Sequence, residues 1–264
     1  MKRTILAVVT STLLAGSALA DEMKLAVTTS FHNSGLSDIL LPQIKQDTGI
    51  EVQLLVVGTG QAIKLGEAGD VDAILVHSRK AEDKFLAGGF GTHRREIMYN
   101  DFVFIGPSDD GAKLGDATSA KDALKRIADS AAPFVSRGDD SGTHKKELSL
   151  WAAAEVTPEG DWYNAVGAGM GAALNTAAGL DAYIMADRAS WLNFGNKGDL
   201  ALVYAGDPVL FNQYAFLPVN ADKHPHVKTE LAAKLEAWLV SDTAKALIND
   251  YKINGETLFV FNAE

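Results

Sequence analysis

No cysteine occurs anywhere in the 264 residues. That single absence removes disulfides, thiolate metal sites, iron–sulfur clusters and thiol nucleophiles together. Positive charge is scarce as well. Lys and Arg total 24 against 34 Asp and Glu, a formal balance of −10, so the general attraction of basic proteins to nucleic-acid phosphates is missing. There is no repeat period, no low-complexity run and no Pro- or Ser-rich linker. Beyond residue 20 no apolar stretch is long enough to cross a bilayer. What remains is 47% hydrophobic and 22% charged, the balance of a globular chain with a real core.

The first twenty residues stand apart. Lys2 and Arg3 make a basic start, Ile5 to Leu14 is apolar, and Ala18-Leu19-Ala20 is a small-x-small cleavage pattern before Asp21. This reads as a cleaved secretory signal peptide over residues 1–20. The apolar run is too short for a membrane anchor, and no cysteine at the cut offers a lipid attachment. Losing it leaves 264 less 20, or 244 residues, at −12, since only the two basic residues depart. The expected location is the periplasm.

From residue 24 the pattern alternates between strand and helix. Lys24 to Thr28 is strand-like, and Leu36, Ile39, Leu40 and Ile44 recur at helical spacing, with Pro42 expected to break or restart that helix. Ile50 to Val57 reads as a strand, Gln61 to Ala68 as a helix, and Ala73 to Val76 as a buried strand. The rhythm resumes after residue 106. Phe134 and Val135 precede a helix carrying Leu148, Trp151 and Glu155, Gly167 to Leu174 opens another, and Ala182 to Ala186 is strand-like. Two amphipathic helices close the chain, one marked by Val227, Leu231, Leu235, Trp238 and Leu239 and one around Ala244 to Tyr251. Such alternation specifies an α/β fold with mostly parallel sheets. With no linker between halves, two lobes would need the chain to cross near Tyr99 to Gly106 and again near Leu200 to Val219.

Three stretches share one composition and one place in that pattern. Thr28-Thr29-Ser30, Gly58-Thr59-Gly60-Gln61 and Ser136 to Thr143 each follow a strand and precede a helix. Each offers hydroxyls and backbone amides at a helix N-terminus, where the first N–H groups lack intrahelical partners and the dipole favours negative charge. A compact oxyanion suits such a place, although Ser and Thr also serve there as plain caps. Arg137 beside Ser141, Gly142 and Thr143 adds a permanent forked donor. Asp139 is placed to hold that guanidinium in a bidentate pair, the alternative being an ion pair with no ligand. Asp140 reads as a solvated turn residue.

Catalytic readings are weaker. Gly138 to Gly142 superficially resembles a serine hydrolase, with His144 three residues after Ser141, but a nucleophile elbow needs G-x-S-x-G and residue 139 is Asp. Gly58-Thr59-Gly60 lacks the third glycine of a dinucleotide loop, since Ile63 stands there, and no Walker loop is present. His32, His77, His93, His144, His224 and His226 show no zinc-ligand spacing.

Several of these motifs together resemble the tungstate-binding periplasmic proteins of ABC uptake systems, within the type II periplasmic binding protein superfamily. The resemblance rests on Thr28-Thr29-Ser30, Val57 to Gln61, Asp70 to Asp72 leading to Val76-His77-Ser78, Met98 to Phe102 with Gly106-Pro107, and Ser136 to His144. Trp162-Tyr163, Gly169-Met170-Gly171 and Tyr183 to Arg188 continue it. Ala186-Asp187-Arg188 departs from the family's usual Thr-Asp-Arg. It implies two α/β lobes, residues 21–104 plus 208–264 and residues 105–207, closing a cleft on a tetrahedral oxyanion. The implied ligand is tungstate, with molybdate second, bound without catalysis and without a cofactor or bare metal ion. Sulfate or phosphate binding is the first alternative, and hydrolysis by Ser141 and His144 the second. The expected contacts are Thr29, Ser30, Thr59, Arg137, Ser141, Gly142 and Thr143, backed by Thr28, Gly58, Gly60, Ser136 and Asp139. The expected partner is an ABC permease in the inner membrane, and the expected state a monomer.

Overall fold

The computed structural model of the chain describes residues 21–139 and 141–263. The expected signal peptide and the turn residue Asp140 lie outside these. Strand and helix alternate from the start: β1 (Asp21–Thr28), α1 (Thr29–Asn33), α2 (Leu36–Thr48), β2 (Ile50–Val57), α3 (Thr59–Ala68), β3 (Ala73–Val76) and α4 (Arg79–Ala87). A long strand, β4 (Arg95–Pro107), leads to a second series. This comprises α5 (Ala120–Asp129), β5 (Phe134–Ser136), α6 (Gly142–Ala153), β6 (Tyr163–Ala165), α7 (Met170–Leu180), β7 (Tyr183–Asp187) and α8 (Arg188–Asn193). The chain then returns through β8 (Leu200–Tyr204) and β9 (Phe211–Pro218) to α9 (Thr229–Leu239) and α10 (Asp242–Asp250). Three two-residue strands end it, β10 (Lys252–Ile253), β11 (Glu256–Thr257) and β12 (Val260–Phe261).

The main sheet runs in the order β2-β1-β3-β9-β4-β7-β5-β6, with β8 and β12 also paired to β4. Pairing is parallel within each outer group, β1 with β2 and β3, and β5 with β6 and β7. The strands between them run antiparallel. β4 pairs with β9 through Arg95 to Asp101, then with β7 through Phe102 to Ile105 and with β8 through Phe104 to Pro107. One strand therefore serves both groups, and the chain passes between them along β4 and again between β8 and β9.

Burial explains why these segments pair. All four residues of β3, Ala-Ile-Leu-Val, are buried, as a strand covered on both faces requires. One apolar cluster runs from Val27, Leu36 and Leu75 through Tyr214 and Phe216 to Val135, Ile184 and Trp191, so a single core underlies both strand groups. Two further clusters are local to each side, one around Phe104, Trp151 and Phe134 and one around Ile74, Phe85 and Leu217.

Pro42 corrects an expectation. It lies inside α2 without ending it. Proline removes one helical hydrogen bond and costs about 3 kcal/mol in a helix interior. Here it sits on the exposed face, while Leu36, Leu40 and Ile44 bury the opposite one, and Trp238 Nε1 of α9 donates to Asp47 Oδ2 at 2.8 Å. Packing outweighs the local defect.

The parallel strands of each group end in turns that lead directly into helices: β1 to α1, β2 to α3, β3 to α4, and β5 to α6, β6 to α7, β7 to α8. In open α/β sheets the crevice outside these carboxyl ends is where ligands bind.

Candidate functional site

Thr28 ends β1 and caps α1: Phe31 N–H donates to its Oγ1 at 3.3 Å. Thr29, the first residue of the helix, is exposed. Ser30 is more crowded. Its Oγ lies 3.0 Å from Thr28 Oγ1, 3.1 Å from His77 Nε2 and 3.0 Å from Tyr214 OH. Tyr214 is fully buried on β9. Its ring tilts against His77, with centroids 4.8 Å apart.

His77 follows β3 and keeps some solvent contact at its edge, yet protein packs densely around it. Desolvation lowers its pKa to about 4, against smaller opposing effects of its own backbone, the Asp187 carboxylate and Asn212. It is therefore neutral at pH 7. Asn212 Nδ2 in turn donates to Asn100 Oδ1 at 2.9 Å, joining residues directly opposite each other on β4 and β9.

The turn from β2 to α3 is barer. Gly58 caps α3 with no side-chain bond, and a methyl group built on Gly58 or Gly60 would meet nothing within 4 Å. Thr59, between them, is half-buried.

The turn from β5 to α6 carries the charge. Ser136 is fully buried, and its hydroxyl donates to Glu147 Oε2 at 2.8 Å. Trp151 Nε1 and Tyr163 OH donate to Oε1 of the same carboxyl at 3.2 and 2.8 Å. Burial raises the pKa of Glu147 despite these bonds. Ser136 thus faces inward, behind the turn.

Arg137 donates from Nε to Asp139 Oδ2 at 3.1 Å, and Nη2 donates to the same oxygen. The pair converges on one oxygen instead of forming the expected bidentate fork. The other, Oδ1, accepts from Ser141 N–H at 3.2 Å. Burial opposes ionisation of Asp139, but the hydrogen bonds from Ser141 and Arg137 outweigh it and hold its pKa below the usual carboxylate value. Gly138 between them has φ +61°, and a methyl there would lie 3.1 Å from Ala165 Cβ. Only glycine fits that turn comfortably.

Ser141 caps α6 by accepting from His144 N–H at 3.3 Å. This is a backbone bond, so it makes a helix cap and not a nucleophile–base pair. Gly142 is exposed and Thr143 buried beneath it. A methyl on Gly142 would sit 3.7 Å from His77 Cε1, so the start of α6 faces the end of β3 across the two strand groups. Among the described residues no group of three or more His, Asp or Glu side chains is placed to hold a metal ion, and no helix is long and apolar enough to cross a membrane.

The expected residues therefore separate. Thr29, Thr59 and Gly142 stand at helix starts, and Arg137 and Ser141 lie in the turn that leads to Gly142, whereas Thr28 and Ser136 are engaged within the protein. Residue-type reasoning gave no role to His77, Tyr214 or the Asn100–Asn212 pair. Nor did it place the Arg188–Asp101 pair, in which Nε and Nη2 donate to the two carboxylate oxygens at 2.6 Å each. His77 was open to discovery, since Val76-His77-Ser78 is another strand-to-helix turn. Tyr214 and Asn212 gave no such signal within a strand.

The sequence matches the family described as a PBP superfamily domain over residues 15–243. It is 46% identical to the tungstate-binding protein TupA of Peptoclostridium acidaminophilum, over 90% of this chain and 85% of that protein. It is 43% identical to a putative ABC transporter anion-binding protein of Haloferax volcanii, over 94% of this chain and 74% of that one. Among solved structures, the tungstate-binding protein TupA of Desulfovibrio alaskensis superposes with a TM-score of 0.89 at 44% identity. That match covers 93% of this chain and all of the other.

Proposed function

Because the chain belongs to the PBP superfamily and to the family of its tungstate-binding members, we propose that it captures tungstate as the solute-binding component of an ABC importer. It is not an enzyme; the task is binding, and no acid–base step is needed. The cleft would lie between one lobe of residues 21–104 plus 208–264 and another of residues 105–207, joined where the chain passes along β4 and between β8 and β9. Thr29, Ser30 and Thr59 would serve the anion from the first lobe, and Arg137, Ser141, Gly142 and Thr143 from the second. Molybdate is a second ligand on the same chemistry, because its size, geometry and charge nearly match. The permease would be an inner-membrane partner and the working compartment the periplasm.

The observation that carries this reading is the α6 turn. There Arg137 is fixed by Asp139 beside a helix N-terminus that faces His77, itself 3.1 Å from Ser30. Fixed donors need no reorganisation when the anion arrives, which is what raises affinity. Net negative charge does not oppose it, since distant charges are screened beyond roughly 8–10 Å. The Asp139 carboxylate is engaged by Arg137 and Ser141, so in this reading it supports the donors and does not oppose the anion. Such a site suits tungstate, molybdate and sulfate better than phosphate, which usually carries a proton at neutral pH and then wants an acceptor. Calorimetric titration of purified protein with the four anions tests this. Tungstate should bind with one-to-one stoichiometry and phosphate weakest. Preference for phosphate, or no heat and no thermal shift with any anion, would refute it.

A further inference from the structure

The crowding at Ser30 has a consequence that can be counted in hydrogens. A serine hydroxyl owns one hydrogen and two lone pairs. Three polar atoms surround Ser30 Oγ at 3.0–3.1 Å, from three separate elements: Thr28 on β1, His77 after β3 and Tyr214 on β9. Thr28 Oγ1 already accepts from Phe31 N–H, which leaves its own hydrogen to give. Tyr214 is fully buried, and desolvation pushes its pKa up to about 12, so it keeps its hydrogen at any working pH.

We propose that Tyr214 is a positioning residue that makes Ser30 an obligate donor toward the bound oxyanion. In the arrangement proposed, Tyr214 and Thr28 both donate, a direction their 3.0 Å contacts allow, so both lone pairs of Ser30 are filled and only its own hydrogen is left to offer. With the neutral His77 ring carrying its hydrogen on Nδ1, two acceptors compete for the Ser30 hydrogen, Nε2 of His77 and an anion in the cleft. A dianion is the stronger acceptor, because hydrogen bonds to charged groups are shorter and stronger. An oxyanion presenting a hydrogen at that point would find no lone pair to receive it. Tyr214 thereby acts on specificity without touching the ligand. Its ring is held in place by Phe31, His77 and Phe259, at centroid distances of 6.3, 4.8 and 5.8 Å, so the hydroxyl can be removed without emptying the space.

This rests on the oxyanion reading above, and a double-mutant cycle separates the two. Dissociation constants for tungstate and phosphate would be measured for wild type, Tyr214→Phe, Ser30→Ala and the double variant. Tyr214→Phe should weaken tungstate binding roughly three- to tenfold and narrow the preference over phosphate, because Ser30 regains a lone pair. In the Ser30→Ala background the same substitution should change neither. A purely structural role for Tyr214 would lower the melting temperature and leave affinity and selectivity unmoved. Should Tyr214→Phe not fold, Thr28→Val removes the other donor and must show the same dependence on Ser30. Additive losses, or an unchanged tungstate constant in Tyr214→Phe, would overturn the positioning role alone. Wild-type protein that took up no tungstate would overturn the functional reading and this inference with it.

Discussion

The turns that end β1 and β5 differ in kind, and in the proposed site they would solve different problems. The first is neutral: the hydroxyls of Thr28 and Tyr214 and an uncharged imidazole each lie within hydrogen-bond reach of the Ser30 hydroxyl. The second is charged, with Arg137 held along one edge by Asp139 and the start of α6 exposed beside it. The contrast teaches a division of labour. A formal charge attracts an anion but does not distinguish a bare oxyanion from a protonated one. A saturated hydroxyl network supplies little attraction but fixes which way each hydrogen points. Buried acids support two of the neighbouring turns: behind β5, Ser136 leans on Glu147, and after β3 the backbone of Ser78 leans on Glu82, which is fully buried and ion-paired to Arg94.

The strongest way to break the comparison is to remove the charge. Arg137→Ala should weaken tungstate binding by about 3 kcal/mol, roughly a hundredfold in Kd, as one or two charge-assisted bonds disappear. Calorimetry reads this directly, and an unchanged constant would show that the β5 turn does not hold the anion.

The neutral side is challenged through pH. Unfolded, the His77 ring takes up a proton below about 6.5; folded, it resists until about 4. Between those values the unfolded chain binds more protons, so this group's contribution to stability is lost as pH falls from 6.5 to 4. At about 1.4 kcal/mol per unit, the loss is on the order of 3 kcal/mol at most. Burial raises the pKa of Glu147 and Glu82, which contributes the opposite slope, because stability gained from a raised pKa fades as pH rises. The informative quantity is therefore the difference between wild type and His77→Gln in denaturant unfolding at pH 7 and pH 4.5. Wild type should lose more stability than the variant, and equal losses would mean that His77 titrates normally.

A smaller effect sharpens the charged side. Asp139→Asn removes the partner that orients Arg137 without removing a ligand contact. It should weaken tungstate binding by about 1 kcal/mol, within tenfold, and always less than Arg137→Ala. A loss as large as that of Arg137→Ala would make Asp139 more than a support.

How much of this was legible depended on whether local sequence or distant packing decided each feature. β2 at Ile50–Val57 and β3 at Ala73–Val76 were readable to the residue, because the first is a largely apolar stretch between Gly49 and Gly58 and the second a continuous apolar run that starts after Asp72. Helix α4 carries charge along most of Arg79–Ala87 and buries only Glu82 and Phe85, so no apolar period announces it. The helix expected from Gly167 begins only at Met170, since Gly167 takes φ +64° and Gly169 is the cap. At the site, the donor-rich turns were visible as residue types in a fixed place. Which hydroxyls are engaged inside the protein was not: Ser136 and Ser141 read alike until Glu147, eleven residues on, claims the first. Tyr214 lies 184 residues from Ser30, and no local pattern joins them.

The most direct test is to locate the metal of the bound anion. Anomalous scattering from tungsten in crystals of the complex should place a single atom between the starts of α1 and α3 on one side and Arg137 with the start of α6 on the other. Its oxygens should lie at hydrogen-bond distance from Arg137 and from hydroxyls of both turns. A tungsten atom bound elsewhere, or contacting only one of the two turns, would contradict the account.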